Sequence, residues 1–578
     1  MKRTRAGVFS LIALALVLGA AALPMAFGGP GPHMRPSSWT ARQELDVDPV
    51  VRHSKMQGRD ATLKTIARRF VARNSERFEH VPRDGLASQR GPSRPTSTNA
   101  MPGPLRVFDG ISNKSFLAPP DPTGDISPTQ YMQAVNGDDG AVVAVFDRSG
   151  EAIAPPFLME KLWKKKSFCG KNGQGDPIVQ YDQMADRWIV TQFAFIIGDE
   201  PHGPYYECVA VSSTSDATGT YYPYSFLIAK DELPDYPKFG VWHDGYYMSL
   251  HLFGGNGSFF SGQGIIAFDR ESMLLGEEAR GFAFFVNKKH FGLLPADAQG
   301  PTPPPPGSPE YLVVLRDDDV VDKVKNDSVL LYEFKVNWNR PHRSEITGPR
   351  KMRADPFDST VCAQLFSCLR QKGSDMLLDA LGAAEGYGAF QMYPLAYRNY
   401  GTHESLTLNH SVKVNDRTNR SGVNWFEIRD PGPGAVIYQE GTHSPDKKAR
   451  WVASLGMDGQ GNMAMGYAIT SKRIFPSIAY AGRLATDPLG TMAQGEQIMM
   501  AGRGAQKGAT RWGDYTSISI DPLDDCTFWY VNEYYAKSSL AKWRTAIGTF
   551  RFPQCGGPTS SPTSSQSATV STQPTPTS

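Results

Sequence analysis

The chain carries almost no excess of charge: 60 Lys and Arg against 58 Asp and Glu leave a formal net charge of +2 over 578 residues. Nothing in that balance calls for a nucleic-acid or acidic partner, and none is expected. A second long apolar run is also missing. The run over 8–23 follows Lys2, Arg3 and Arg5, and small residues lie at 20–22; no later stretch nears the length that spans a bilayer. Residues 1–27 therefore read as a cleaved export signal, an uncleaved anchor helix being the alternative. The mature protein is expected to be secreted, extracellular or periplasmic, monomeric and without a membrane span.

Cysteine is scarce, with six residues and no CxxC pair, which removes the close thiolates of a structural zinc site. In an exported chain six cysteines most simply make three disulfides. Of the fifteen pairings, nearest neighbours along the chain are Cys169 with Cys208, Cys362 with Cys368, and Cys526 with Cys555. Other signatures are absent too. No GxSxG elbow supports an esterase site. His403-Glu404 is followed by Ser405, and the next histidine is His410, so HESLTLNH does not put two zinc ligands one helical turn apart. There is no P-loop, and the glycine clusters at 254–257 and 502–508 lack the strand-then-helix setting of a phosphate cradle. They read as surface turns.

What the chain has in quantity is β texture. Over 176–193 the sequence DPIVQYDQMADRWIVTQF runs β-branched and aromatic, breaks at 182–186, then alternates apolar with polar residues, as an antiparallel hairpin does. Similar units begin near 122, 176, 235, 310, 386, 450 and 510. A spacing of roughly fifty to eighty residues suits four short strands plus loops. An all-β fold follows: a β-propeller over 105–555, with seven blades and six or eight as alternatives. A sandwich of so many strands leaves open edges, and the coils of a parallel β-helix are much shorter. Closure requires the first and last units to meet.

Around this body, 28–104 is Arg-rich with helix-compatible Leu63, Ile66, Phe70 and Val71, and reads as a leader or pro-segment ending in a Pro/Gly/Ser linker. PTPPPPGSP at 301–309 reads as a polyproline loop between blades. Residues 359–382, with CAQLFSCLRQ and DMLLDALG, predict a helical insertion pinned by Cys362–Cys368. The tail at 556–578 has almost nothing to bury and is expected to be disordered.

Two turns, Asp216 to Gly219 and Asp458 to Asn462, resemble the Asp-box of the sialidase superfamily, in which Asp accepts bonds from the turn backbone. They shape hairpins on the outer rim and do not catalyse. A sialidase-type mechanism needs clustered arginines and a Tyr activated by a carboxylate. The candidates are Arg398, Tyr400, His403 and Glu404 in one stretch and Arg511 and Asp514 in another. On innermost strands they would converge on the central channel; the competing expectation is that they pair and cement adjacent blades, since buried charges are normally partnered. Asp317, Asp318, Asp319 and Asp322 offer oxygen ligands for calcium without EF-hand spacing; a solvated loop is expected, and no cofactor. The aromatics at 221–224 and 528–530 are read as core rather than sugar platforms.

GDPIVQYDQMADRWIVTQF, LAYRNYGTHESLTLNHSV, MDGQGNMAMGYA, FPSIAYAGRLATDPLGTM and RWGDYTSISIDPLDDCTFWYVNEYY together resemble a family of large, exported, uncharacterised bacterial proteins, distantly sialidase-like. The resemblance implies export and a propeller body over about 107–555 and supplies no activity. The helical insertion departs from it. The reading is a secreted or surface-displayed propeller that binds a glycan or protein ligand, with a sialidase-like glycoside hydrolase and a structural envelope protein as alternatives.

Overall fold

In the computed structural model the described residues are 101–555, apart from 114–116, 198–200, 255–258, 287–290, 322–323, 363–366, 385–387 and 416–419, together with 39–40, 43–44 and 54–55. The export signal, the expected leader helix and the tail lie outside them.

The described chain is nearly all strand. The expected hairpin forms between Gly173–Asp182 and Arg187–Ile197, with Asp182 opposite Arg187. Asp182 supports the turn by accepting the N–H groups of Met184 and Ala185, both at 3.1 Å. Four-stranded antiparallel meanders of this kind follow one another along the chain. Their innermost strands are Thr123–Ile126, Gly173–Asp182, Leu233–Val241, Leu294–Gln299, Gln391–Asn399, Ala449–Met457 and Ser517–Ile520. Each touches the next, and the last touches the first. That closed ring is a β-propeller, and we number its blades in this order. The inner strands of the fourth and fifth blades also pair directly, in parallel, Ala296 opposite Leu395.

The ring is closed by sequence-distant strands. The last blade takes its outermost strand from Arg106–Ser112, paired to Arg544–Phe550 with Ile547 opposite Phe108. The edges of the second, third and fourth blades gain short fifth strands, where Ser54–Lys55 meets Tyr221 and Thr220, Gln43–Glu44 meets Ala283 and Phe282, and Trp39–Thr40 meets Ile346 and Glu345.

Alternation puts the large side chains between blades. Trp188, Trp242, Trp425, Trp451, Trp512 and Trp543 are all fully buried, and so are Tyr221, Tyr224, Phe528 and Tyr530 from the aromatic runs. A repeated tripeptide adds a clasp. Phe146-Asp147-Arg148 and Phe268-Asp269-Arg270 end the third strands of the first and third blades. In each, the Asp caps its own turn while the Arg reaches the preceding blade: Arg148 to Asp521, and Arg270 to Asp182 at 2.7 and 3.0 Å.

All three expected disulfides form, with Cα separations of 5.8, 5.1 and 5.5 Å. The helical insertion does not. Among the described residues of 359–382 there is only a small hairpin, Ser367–Leu369 with Leu378–Asp379. The Cys362–Cys368 bridge itself excludes the helix: a helix would set those two Cα atoms about 9 Å apart along its axis, beyond the reach of a disulfide. The proline run 301–309 is also displaced, lying between the first and second strands of the fourth blade rather than between blades.

Candidate functional site

Every inner strand runs from one face of the ring, here called leading, to the opposite, trailing face. Connections between blades and the second-to-third-strand turns lie on the leading face, and the other turns lie on the trailing face. This assigns the candidates. Arg398 ends an inner strand, and Tyr400, His403 and Glu404 follow it, so these four sit at the trailing face; Arg511 and Asp514 precede an inner strand and sit at the leading face. The structure does not bring the two groups together.

At the trailing face each candidate is taken. Arg398 donates to the Met457 carbonyl at 2.7 Å and pairs with Asp525, its guanidinium 5.6 Å from the Tyr400 ring centroid. The Tyr400 hydroxyl donates to the Asp458 carbonyl at 2.8 Å. His403 stacks on Tyr400 at 4.9 Å, and Glu404 accepts the Tyr397 hydroxyl. Here the pairing expectation holds. Asp458 accepts the N–H groups of Gln460 and Asn462, both at 2.9 Å, but sits at the inner end of its blade and not on the outer rim. Asp216, in a third-to-fourth-strand turn, accepts from Thr218 at 2.9 Å and from Gln130 of the first blade at 2.9 Å.

The leading face is built differently. Asp121 and Asp514, just before two inner strands, and Asp176, Tyr236 and Val452, each the fourth residue of another, all have positive φ, from 47° to 75°. Register shifts accompany four such starts, near Asp176, Tyr236, Pro394 and Val452. A bulge there bends the strand and re-aims its side chains. What they frame is a charged cluster. Arg511, its side chain 15% exposed, pairs with Asp514 and lies 3.6 Å from Asp379. Asp121 adds its field to both Arg511 and the buried Glu533. Glu533 accepts the Gly513 N–H at 2.8 Å. Beside them the buried Lys238 ammonium lies 3.4 Å from the Tyr236 ring centroid and 3.8 Å from that of Tyr515, a cation held by aromatic faces.

Burial dominates the electrostatics. It pushes the Asp379 carboxyl up to about 6, with Arg511 opposing and Asp514 assisting. Burial likewise raises Glu533 well above the usual carboxylate range, and takes Glu207 to about 8 against the pull of Lys238. Burial works against the Arg511 charge too, but Asp514, Asp379 and Asp121 outweigh it.

Sequence reasoning reached Arg511 and Asp514 and missed Asp121, Asp379, Lys238 and Glu533. A signal existed: Asp121-Pro122, Asp176-Pro177, Tyr236-Pro237, Leu294-Pro295 and Tyr393-Pro394 repeat the same dipeptide pattern at five inner-strand starts.

In the acidic run Asp318 and Asp319 are exposed, as expected of a solvated loop, and Asp317 is not. Asp322 lies outside the described residues. Asp317 is fully buried, accepting Asp319 N–H at 2.8 Å and Ser359 N–H at 2.7 Å, while Asp327 accepts Asp318 at 2.8 Å and Phe357 at 2.6 Å. These carboxyls pin the 355–360 segment to the fourth blade, and burial raises both to about 7. Asp317, Asp318 and Asp327 are the one grouping among the described residues close enough to offer three carboxylates to a cation, within 4.8 Å of one another. Backbone donors already occupy the oxygens of Asp317 and Asp327.

No family model matches the chain, and no curated protein does. Among solved structures it is similar to a phage phi92 endosialidase, at 6% identity and a TM-score of 0.36 over 82% of this chain and 71% of that one. An α-L-arabinofuranosidase from Fusarium graminearum, bound to an iminosugar inhibitor, gives 8% and 0.34 over 79% and 98%. A Trypanosoma rangeli sialidase with sialic acid gives 10% and 0.31 over 64% and 53%. At these scores the similarities carry no argument, and the fold rests on the strand pairing above.

Proposed function

We propose that the protein is an exported β-propeller that hydrolyses a glycan at its leading face. The observation that carries this reading is the Asp379–Arg511–Asp514 arrangement, at the convergence of five inner strands that start in strained backbone. Glycoside hydrolysis by paired carboxyls needs one acid still protonated near neutral pH, to donate to the leaving oxygen, and one carboxylate as base or nucleophile. Asp379, held up to about 6 by burial, suits the donor role. Asp514, in its ion pair with Arg511, suits the anionic role. Export is supported by three disulfides and no free cysteine.

The test is turnover of fluorogenic glycosides by the full chain, with sialosides and arabinosides in the panel, beside Asp379→Asn and Asp514→Asn variants checked for folding by thermal melting. Turnover lost in both folded variants supports the site. Turnover that survives both removes it. A second reading, glycan binding without turnover, is favoured by the ion pairs that both carboxylates already make with Arg511; glycan affinity in a folded protein inert on every substrate would decide for it.

A further inference from the structure

A chain with a net charge of only +2, which also carries a lysine run at 161–171, places a strongly basic surface at the rim of the leading face beside the sixth blade. Three loops build it. Residues 370–377 of the insertion lie on the turn after Met463–Ser471: the Lys372 N–H donates to the Ile474 carbonyl at 3.2 Å, and the Thr470 hydroxyl donates to the Arg370 carbonyl at 3.3 Å. The third loop, 501–509, is stapled to the first by Gln371, which donates to the Gln506 carbonyl at 2.8 Å and accepts the Gln506 N–H at 3.0 Å. Gly502 and Gly504 permit this packing, since a Cβ on either would fall 1.9 Å from the Pro476 carbonyl oxygen or 2.1 Å from the Lys537 backbone.

Together the loops expose Arg370, Lys372, Lys472, Arg473, Arg503 and Lys507. None of the six makes an ion pair among the described residues, whereas Lys413, Lys448 and Arg551 do. Between the loops opens a cleft of about 540 Å³ lined by Arg370, Gln371, Gly373, Ser374, Asp375, Leu377 and Lys472. Two of these cations, Arg370 and Lys472, line the polar cleft itself; without an ion pair they repel one another until an anion arrives, and a ligand that neutralises them gains what the protein alone forgoes.

We propose that this cleft binds an anionic polysaccharide, one bearing carboxylate or sulfate groups along a hydroxyl-rich chain. Arg370 and Lys472 meet the anionic groups, and Ser374 and Asp375 face the hydroxyls. A nucleic acid fits less well. Phe475, the aromatic beside the cleft, is already covered by Lys372 at 5.0 Å and approached by Gly373, so bases find no ladder of stacking platforms. Asp375 in the lining also opposes a continuous phosphate backbone. None of Asp379, Arg511 and Asp514 lines the cleft, though Gln506 joins Gln371 of the lining to the Arg511 carbonyl at 2.7 Å, and the inference does not rest on turnover at that cluster.

The experiment measures binding of the full chain to polygalacturonate, as the carboxylated probe, and to heparin, as the sulfated one. Neutral dextran and duplex DNA are the comparisons, at low salt and at 0.5 M salt, roughly where exposed charges are screened. Expected is binding to one or both polyanions that salt releases, weakened on the order of tenfold or more in a Lys372→Glu/Lys472→Glu double variant. Both replaced side chains are exposed, so folding should be unchanged; the Asp379→Asn variant should bind like the wild type. Which probe wins separates carboxylate from sulfate recognition. No binding to either polyanion at low salt, undiminished binding by the double variant, or tighter binding to DNA than to both polysaccharides would overturn the proposal.

Discussion

Replacing Arg511 by Met removes the one cation that Asp379 and Asp514 share while keeping most of its volume. The Arg511 side chain is 15% exposed, and those of Asp379 and Asp514 are 8% and 6% exposed, so solvent offers little compensation. Breaking a buried pair by deleting one partner costs about 3–5 kcal/mol, because the abandoned charge stays buried. For a body of roughly 450 residues the unfolding entropy is near 1 kcal/mol per kelvin, so a loss of about 4 kcal/mol lowers Tm by only about 4 °C. The pH dependence is more telling than that shift. Asp379 already has a raised pKa with Arg511 present, and removing the cation raises it further. The native state of the variant then binds more protons than the unfolded chain between the unfolded aspartate pKa and the raised native value, so its stability grows as pH falls through that window. The deficit relative to wild type should be largest at pH 7.5 and shrink by more than half at pH 4.5. Differential scanning fluorimetry at both pH values, with urea melts to obtain free energies, reads it. Arg473→Met, at the exposed surface, should stay within about 0.5 kcal/mol of wild type. An Arg511→Met deficit below about 1 kcal/mol, or one equal at the two pH values, would refute the claim that Arg511 is the buried counter-charge of the cluster.

Cys526→Ser with Cys555→Ser opens a link spanning 29 residues, for which chain entropy predicts a loss of about 3–4 kcal/mol; urea denaturation of the double variant checks it, and an unchanged midpoint would show that the bridge does not constrain the unfolded chain. A chain beginning at residue 113 lacks the closing strand Arg106–Ser112 and exposes the edge of Arg544–Phe550; it should aggregate or lose its cooperative melt, and a well-behaved monomer in size-exclusion chromatography would count against closure by that strand. Glu207, pushed to about 8 by burial, holds a proton in the native state from its unfolded pKa up to about 8, so it makes stability fall as pH rises through that window. Glu207→Gln should flatten the fall and melt above wild type at pH 8.5; parallel pH profiles would exclude it as the titrating group.

The hairpins were legible because a strand between two other blades must alternate and its turns need Asp and Gly, and both patterns survive in a single sequence. The closing role of Arg106–Ser112 was not legible as a pairing, since nothing local ties Phe108 to Ile547, more than four hundred residues away. The insertion misled because CAQLFSCLRQ has helical texture, yet its two cysteines at a spacing of six already contradicted a helix. The two candidate stretches part for a topological reason. Arg398 to Glu404 and Arg511 to Asp514 look alike as strings, but one follows an inner strand and the other precedes one. In a ring whose inner strands all run the same way, that difference sends them to opposite faces.

The two faces also differ in how they hold unfavourable backbone, which bears on where function resides. Among the described residues, the non-glycine left-handed residues of the trailing face are Asp186, Asp430 and Asp525. All three are aspartates in tight turns, a residue type that adopts this conformation more readily than most. At the leading face they include Tyr236 and Val452, an aromatic and a β-branched residue within inner strands, where no turn requires positive φ and each costs about 1–3 kcal/mol. Packing alone gives no reason to keep them, because a regular strand would bury the same side chains. They persist together with the bulges beside Asp176 and Lys238. The trailing face, by contrast, spends its arginines on Asp182, Asp521 and Asp525 in clasps that join blades. The blades are therefore fastened at one face and strained at the other, and it is at the strained face that Asp379, Arg511 and Asp514 meet.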